Sequence, residues 1–435
     1  MKYLSTTIAT LFLVSGMARA ESLQDIYDAA LQSDPQLATA EASYEAALQA
    51  KPLAKSAYLP QINASAGISQ LDLAYTDANP SFQDSDFNRS NWGIRLNQAI
   101  YNRGYWAQID QADSGIAQAE AQILAERQGL IIRVATAYFD ELTAREALNT
   151  ANAEKTAVGR QLEQAKEKFD VGLIAITDVH ESQASYDLTV ANAIAAQAQL
   201  DISHESLRAI TGTNTDTLDL LGKDDVALTK PNPADIDDWV TSAKENNLQL
   251  KAANYAVASA KLNVKAERSG HYPTLGLVAQ YGSQDDDGGQ QQGVIDSSSI
   301  GLDLVIPLYS GGRTTAQVKQ AKSQYKQAQM AQELALRSAI QQVRASYLSV
   351  ISSISQVGAL KQALASTQTA AEAAQAGYDV GTRTSVDVLL ALQQTYRAQL
   401  NYSKARHQYI LSHLRLKQAA GTLTEDDLSD LKKWF

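Results

Sequence analysis

The sequence predicts a mostly α-helical protein with a small β part, built as two duplicated halves. Three observations carry that expectation. First, the chain repeats itself: Phe169-Asp170-Val171-Gly172 returns 209 residues later as Tyr378-Asp379-Val380-Gly381, and Asp178-Val179 returns as Asp387-Val388 at the same offset. Tyr138 and Tyr347 keep that spacing, as do Thr211-Gly212 and Ala420-Gly421. Upstream the offset drifts, to 213 between Leu59-Pro60 and Tyr272-Pro273 and to 208 between Tyr101-Asn102-Arg103-Gly104 and Tyr309-Ser310-Gly311-Gly312. Second, Ala-, Gln- and Glu-rich helical texture fills most of each half. Third, each half carries, at corresponding points, a pair of segments that alternate apolar with small or polar residues. The repeat is far longer than the roughly 20–50 residues of a solenoid unit. It marks a duplicated half-molecule whose copies have related folds and stack about a pseudo-symmetry axis.

Residues 1–20 read as a secretory signal: Lys2, an apolar stretch from Ile8 to Val14, and Ala18-Arg19-Ala20 as an A-x-A cleavage pattern. The first repeat, 21–212, opens with helix-like sequence over 22–57 that stops before Pro60. Ile62, Ala64, Ala66 and Ile68 then alternate with Asn63, Ser65, Gly67 and Ser69, a strand. A polar loop over about 76–90 leads to a second strand marked by Trp92, Ile94, Leu96 and Ile100, so the strand pair occupies about 61–101. Past Gly104 a helix runs to about Phe169, roughly 65 residues and about 100 Å at 1.5 Å per residue. Ile109, Ile116, Ile123 and Leu130 fall at strict sevens in it, with Ala112 and Ala119 at partner positions, a coiled-coil seam. Gly172 breaks the run, and another helix goes from Asp178 to about Ala209.

Residues 213–233, with Lys230-Pro231-Asn232-Pro233, read as a linker. The second repeat, 234–421, follows the same order. Helix is expected over 234–268, then a strand pair over about 274–309. Its first strand is marked by Leu275, Leu277, Ala279 and Tyr281, and its second by Ile300, Leu302, Leu304, Ile306 and Leu308, with a loop from Gln284 to Asp296. Long helices over 315–378 and 386–419 and a tail at 422–435 complete the chain. Both loops are expected on the same side, because both hairpins of a duplicated half must point the same way.

Seam alanines let helices approach closely but bury little area each, so stability must come from many helices zipped together. The strands pose a sharper problem. Each has one apolar and one small or polar face, the alternation of a membrane barrel, with Tyr75, Trp92, Tyr101, Tyr281 and Tyr309 near strand ends. A pair of surface hairpins on a soluble protein gives the same pattern, and both readings stand here. Four strands cannot close a barrel, whereas two chains would give eight and three would give twelve with an open pore.

Composition excludes several function classes. The chain has 37 Lys and Arg against 48 Asp and Glu, and loss of Lys2 and Arg19 with the signal takes the net charge from −11 to −13. That argues against nucleic acid and anionic surfaces as partners. No segment has 18 consecutive apolar residues, and the absence of cysteine removes disulfides, thiolate metal sites and a lipidated amino terminus. The five histidines, at 180, 204, 271, 407 and 413, show no metal-ligand spacing. No nucleophile elbow and no phosphate-binding glycine loop appear, so the chain reads as neither an enzyme nor a cofactor protein. Asp285-Asp286-Asp287-Gly288-Gly289 lacks the oxygen spacing of a calcium loop and reads as a solvated loop. Asp178 and Asp387 each open a helix six residues after a glycine break, where the helix dipole favours a carboxylate.

The two turn sequences carry a resemblance. Phe169-Asp170-Val171-Gly172-Leu173-Ile174-Ala175-Ile176-Thr177-Asp178-Val179 and Ala376-Gly377-Tyr378-Asp379-Val380-Gly381-Thr382-Arg383-Thr384-Ser385-Val386-Asp387-Val388-Leu389 resemble the signatures of the TolC family of trimeric outer-membrane export channels. Leu59-Pro60, Ala137-Tyr138-Phe139, Gln317-Val318-Lys319-Gln320-Ala321 and Ala420-Gly421-Thr422-Leu423 also match, so the resemblance covers nearly all the mature chain. It implies long antiparallel coiled-coil helices forming a periplasmic α-barrel, with four strands per chain contributing to a shared twelve-stranded transmembrane β-barrel in a trimer. The segments 213–233 and 422–435 become equatorial.

The implied function is a passive exit duct for tripartite drug efflux and type I protein secretion. It would be opened through periplasmic adaptor proteins by inner-membrane transporters of the RND, ABC or MFS classes, in contact with outer-membrane lipid, and without nucleic acid or cofactor. The rival expectation is a structural periplasmic coiled-coil protein without channel activity. By resemblance, Tyr378 and Arg383 match latch positions on an inner coil, and Gln161, Thr177 and Asp178 match positions on the facing coil of a closed periplasmic entrance. Asp387 matches an acidic ring that favours cations at the constriction. Leu390 stands where family members carry a second acidic residue, and Glu167 replaces a Gln near the latch.

Overall fold

In a computed structural model of the chain, residues 21–74, 84–214, 218–220, 228–289 and 292–431 are described. The signal segment, Tyr75 and most of the first expected loop lie outside them. Helix α1 (Leu23–Ser33) opens on a reciprocal capping box between Ser22 and Asp25. It stops at Asp34 because Pro35 has no N–H to continue the ladder; Pro35 instead takes the first position of α2 (Pro35–Leu48). The Asp34 carboxylate accepts from the Leu37 backbone N–H at 2.7 Å and completes that start. With α3 (Ala50–Ser56), the single helical stretch expected over 22–57 is three helices.

Strands β1 (Gln61–Leu73) and β2 (Ser85–Tyr101) lead into α4 (Arg103–Asp170) and α5 (Ile176–Thr211). The second copy runs α6 (Ile236–Asn246), α7 (Leu248–Arg268), β3 (Thr274–Asp286), β4 (Gly293–Val305), α8 (Arg313–Asp379) and α9 (Ser385–Ala420), then α10 (Asp426–Leu431). The duplication is therefore one of elements: α4 and α8 have 68 and 67 residues, and α5 and α9 have 36 each. Asn247 interrupts the helix expected over 234–268.

The four strands form one antiparallel sheet in the order β1-β2-β3-β4, so the hairpin of each half is joined to the other through β2 and β3. The register places Ile62 beside Leu96, Leu96 beside Ala279, and Ala279 beside Ile300. All four apolar alternations thus share one face, and the opposite face carries Asn63, Arg95, Gln280 and Ser299 in the matching row. The apolar face is uncovered: Ile68 is 85% and Ile300 77% exposed. Trp92 meets Tyr281 edge-on at 5.6 Å.

Two expectations about the second hairpin need correction. Strands β3 and β4 extend through Asp286 and from Gly293, well into the expected 284–296 loop, and β4 ends at Val305, so Ile306 and Leu308 lie beyond it. Pro307 cannot donate to a ladder and limits the strand there. The acidic run is not simply solvated either. Arg89 forks onto Asp286 with two bonds of 2.8 Å, and Asp287 accepts from the Asn88 backbone at 2.7 Å and its side chain at 2.9 Å.

The residues cluster into two compact units, each drawing on both repeats. One gathers Met1–Thr39, Ala125–Asn247 and Ala339–Phe435; the other gathers Ala40–Leu124 and Leu248–Ser338 and contains the sheet. In the first, Tyr27, Leu130, Tyr138, Phe139, Leu207, Tyr409, Ile410, Leu416 and Leu428 are fully buried. Tyrosines there also tie down the segment between the repeats and the start of the second repeat. Tyr138 donates to the Asp219 carbonyl at 2.8 Å, its repeat-mate Tyr347 donates to the Ala234 carbonyl, and the Tyr409 hydroxyl accepts from the Thr229 N–H at 2.9 Å. In the second unit, Arg103 lies over the Tyr272 ring at 4.5 Å and Lys51 pairs with Asp113 at 2.7 Å. No described helix is long and apolar enough to cross a membrane.

Candidate functional site

The two glycine turns have the same construction. Helix α4 ends in a left-handed Gly172 at φ 75°, with Leu173 N–H reaching back to the Lys168 carbonyl at 2.8 Å; α8 ends in Gly381 at φ 79°, with Thr382 N–H on the Gly377 carbonyl at 2.8 Å. These six-to-one bonds satisfy helix carbonyls that would otherwise lack partners, and positive φ is where glycine is preferred. Val171, Leu173 and Val380 stand exposed on the two turns.

The helices that leave the turns start differently. Helix α9 has a reciprocal capping box: Asp387 accepts from the Thr384 N–H and hydroxyl, both at 2.9 Å, while Asp387 N–H donates to the Thr384 hydroxyl at 3.2 Å. The Thr384 N–H, then its hydroxyl, and last the nearby Arg383 charge hold the Asp387 carboxyl below the usual carboxylate range. Ala175 occupies the equivalent position of α5 and offers no side-chain cap. The half-buried Asp178 carboxylate therefore has no hydrogen-bond or ion-pair partner among the described residues, although the sequences of the two turns are near-duplicates.

Of the six site residues expected from the sequence, the chain brings some together and leaves others apart. Gln161 is buried and donates its side-chain amide to Gln375 at 2.6 Å; Gln375 donates in turn to Asp379 at 3.0 Å. Tyr378 is 6% exposed, and its hydroxyl has no hydrogen-bond partner among the described residues; neither has the side-chain oxygen of Gln161. The Tyr378 ring is covered by Lys168, whose Nζ lies 3.6 Å from the ring centroid. Thr177 and Arg383 are exposed, and no bond joins Arg383 to Thr177 or Asp178 within the chain among the described residues. Glu167 is exposed with no ion pair among those residues, and Leu390 is exposed one turn beyond Asp387.

Lys168 and Gln375 contact expected site residues and were missed by sequence reasoning. A signal was present. Lys168 lies seven residues after Gln161, two turns along one stripe of α4, and Gln375 lies three before Tyr378 on α8. Among the described residues no group of three or more His, Asp or Glu side chains is placed to hold a metal. His407 is a core residue, packed on Phe139 with Nδ1 2.6 Å from the Thr143 hydroxyl, and burial lowers it to about 4.

Comparison with known proteins gives the wider context. The model of the outer membrane efflux protein family matches residues 26–213 and 239–422, one match per repeat. The chain is 41% identical over 427 residues to the outer membrane protein TolC of Vibrio cholerae, covering 97% of this chain and 96% of that one. It is 35% identical to the outer membrane protein TolC of Escherichia coli, covering 95% and 85% of the two chains. It is 29% identical to the alkaline protease secretion protein AprF of Pseudomonas aeruginosa, covering 97% and 88%. Among solved structures, the Campylobacter jejuni CmeC outer membrane channel superposes with a TM-score of 0.81 at 19% identity, over 95% of this chain and 89% of that one.

Proposed function

The chain belongs to the outer membrane efflux protein family and is an exit duct of the outer membrane; we propose that it works there as a homotrimer closed at its glycine turns. One observation carries the trimer. The sheet has two unpaired edges, β1 and β4, and an uncovered apolar face. Hydrocarbon tolerates no unpaired strand edge. Strands of 13 to 17 residues exceed the roughly 9–11 needed for a tilted crossing. Pairing β4 of one protomer with β1 of the next closes the sheet under cyclic symmetry, and three chains supply twelve strands around an open lumen. A structural coiled-coil protein in water would leave this apolar sheet face exposed, and that reading is set aside.

The latch reading rests on unmet polar groups. Buried polar atoms in folded proteins almost always have partners. Among the described residues the Tyr378 hydroxyl and the Gln161 oxygen lack theirs, and Arg383, Thr177 and Asp178 make no side-chain bond to one another. Of these, the exposed Arg383 is free to reach across the periplasmic entrance and donate to Asp178 or Thr177 of the facing coil. Asp387, held ionised by its cap, forms the cation-favouring ring, and Leu390 leaves that ring single. The chain is not an enzyme. Energy comes from inner-membrane transporters of the RND, ABC or MFS classes acting through periplasmic adaptors, for which exposed Val171, Leu173 and Val380 offer an apolar docking surface. AprF, named for protease secretion, supports protein export as one use, and the efflux in the family's description supports drug efflux as another. The test is direct: heat-resistant trimers extracted from outer membranes should conduct ions in planar bilayers, and soluble non-conducting oligomers would overturn the reading.

A further inference from the structure

We propose that Arg95 forms a cationic ring in the lumen of the β-barrel, one copy per protomer, where it binds organic anions in transit. The inference rests on the trimeric duct reading, which makes the polar face of the sheet the lining of a water-filled pore.

That face carries few charges among the described strands. The register sends Asp72, Asp86, Asp285 and Asp296 to the apolar side, in line with the Ile62 and Leu96 face. Arg89, Arg95, Asp286 and Asp303 remain on the polar side. Arg89 and Asp286 neutralise one another: they are direct partners across β2 and β3, joined by two bonds of 2.8 Å.

Arg95 lies on the same strand and the same face, and it makes no ion pair among the described residues. It donates instead to the neutral Gln280 side-chain oxygen directly across the ladder, at a long 3.4 Å. A guanidinium has five N–H donors, so most of its capacity stays open to the lumen. The next row toward Arg89 is Ser65, Gly93, Gly282 and Ser297. No side chain in that row is longer than a hydroxymethyl group, so nothing there shields the guanidinium. The row is held bare, because a Cβ at Gly282 would come within 2.9 Å of the Trp92 carbonyl.

Asp303 does not cancel Arg95 within the protomer. Its partner on β3 is Gly276, four residues from Gln280, and β4 is two strands from β2. At about 3.3 Å per residue and 4.8 Å per strand, the two positions are about 16 Å apart. That is twice the screening length of about 8 Å at physiological salt. Cyclic symmetry then sets three uncompensated guanidinium groups around one level of the pore. Their planar forks pair with two oxygens at once, which selects carboxylate, sulfonate and phosphate groups. Exposed contacts of this kind are individually weak, as a site that cargo must leave requires. The ring is opposite in sign to the one proposed at Asp387.

The test is block of single-channel current by naphthalene trisulfonate, with purified trimers in planar bilayers and the probe in the compartment that the hairpin loops face. The unmodified trimer should be blocked. Arg95→Gln should weaken the block by about tenfold, as three exposed ion-pair contacts are lost together. Arg95→Lys keeps the charge without the fork and should lie between the two. Arg89→Gln/Asp286→Asn removes a closed pair with no change in net charge, so its block should match that of the unmodified trimer.

Equal block in Arg95→Gln and the unmodified trimer overturns the ring. So does a loss of block in Arg89→Gln/Asp286→Asn as large as in Arg95→Gln, which would place the anion at that pair instead. Block that is absent from the unmodified trimer and appears in Asp303→Asn also overturns it, since Asp303 of a neighbouring protomer would then already occupy Arg95. Trimers that do not conduct defeat the duct reading and the ring together, whereas conducting trimers with equal block defeat the ring alone.

Discussion

The Tyr378→Phe/Arg383→Ser double substitution removes two groups of the proposed latch. The Tyr378 hydroxyl is buried and unpartnered among the described residues, and a single hydrogen bond to it in the closed entrance would contribute about 1 kcal/mol net. A charge-assisted bond from Arg383 contributes about 1.5–3 kcal/mol where water is excluded. Arg383 is exposed in the single chain, so the lower end of that range applies. Each interface then loses about 2–3 kcal/mol, and cyclic symmetry repeats the loss at three interfaces. At about 1.4 kcal/mol per decade, a concerted gate moves by four decades or more toward the open state. Bilayer conductance should rise sharply, and cells should admit large antibiotics, while the heat-resistant trimer persists. Asp178→Asn gives a consistency check, because Arg383→Ser should add little once its acceptor is weakened. A double variant that conducts like the wild type would show that Tyr378 and Arg383 are ordinary turn residues.

Four further outcomes follow from the same structure. Burial lowers His407 from 6.5 to about 4, so the unfolded chain takes up the proton first as pH falls; stability should be lost between about pH 6.5 and 4, by up to about 3 kcal/mol per protomer. His407→Phe should flatten the thermal-melting profile in that window, and an unchanged slope sinks the assignment. Gly421→Ala adds a Cβ 2.4 Å from the Asn246 backbone at φ 75°, whereas Gly381→Ala meets nothing within 4 Å at φ 79°; the first should cost about 3 kcal/mol or more and the second about 1–2, and equal melting shifts would refute this. Asp387→Asn keeps the capping acceptor and should weaken cation selectivity without opening the channel, an effect absent if Asp387 serves only as a cap. Epitopes inserted at 75–83 and 287–292 should both label on intact cells, and labelling at neither refutes the shared orientation of the hairpins.

The duplication and the strand alternation were legible because both are periodic: a register that puts Ile62, Leu96, Ala279 and Ile300 in one row needs only the period of two. Element ends were less legible, for particular reasons. Asp285 and Asp286 look like loop residues, yet β3 keeps them because Arg89 on β2 neutralises Asp286 across the ladder. Pro35 and Pro307 did announce a helix break and a strand limit, a local signal that the helical texture and the apolar alternation around them obscured. The side-chain pairs around the two turns were not legible. That Gln161 meets Gln375, and Lys168 meets Tyr378, depends on how two long helices lie against each other, and no spacing within one helix encodes it.

The capping difference between the repeats argues most directly from sequence to function. Thr384-Ser385-Val386-Asp387 can close a capping box, and Ala175-Ile176-Thr177-Asp178 cannot, because an alanine side chain has no oxygen to offer. The same aspartate, copied with its turn, is committed to its own helix in one repeat and unengaged in the other. The unengaged carboxylate can offer both its oxygens to an arginine from a neighbouring chain, whereas Asp387 has Oδ2 committed to its cap. Ala175→Thr should therefore draw Asp178 into its own cap and weaken closure even though no gate residue has been changed. Its conductance should move toward that of Asp178→Asn, and wild-type conductance in this variant would mean that Asp178 takes no part in the latch.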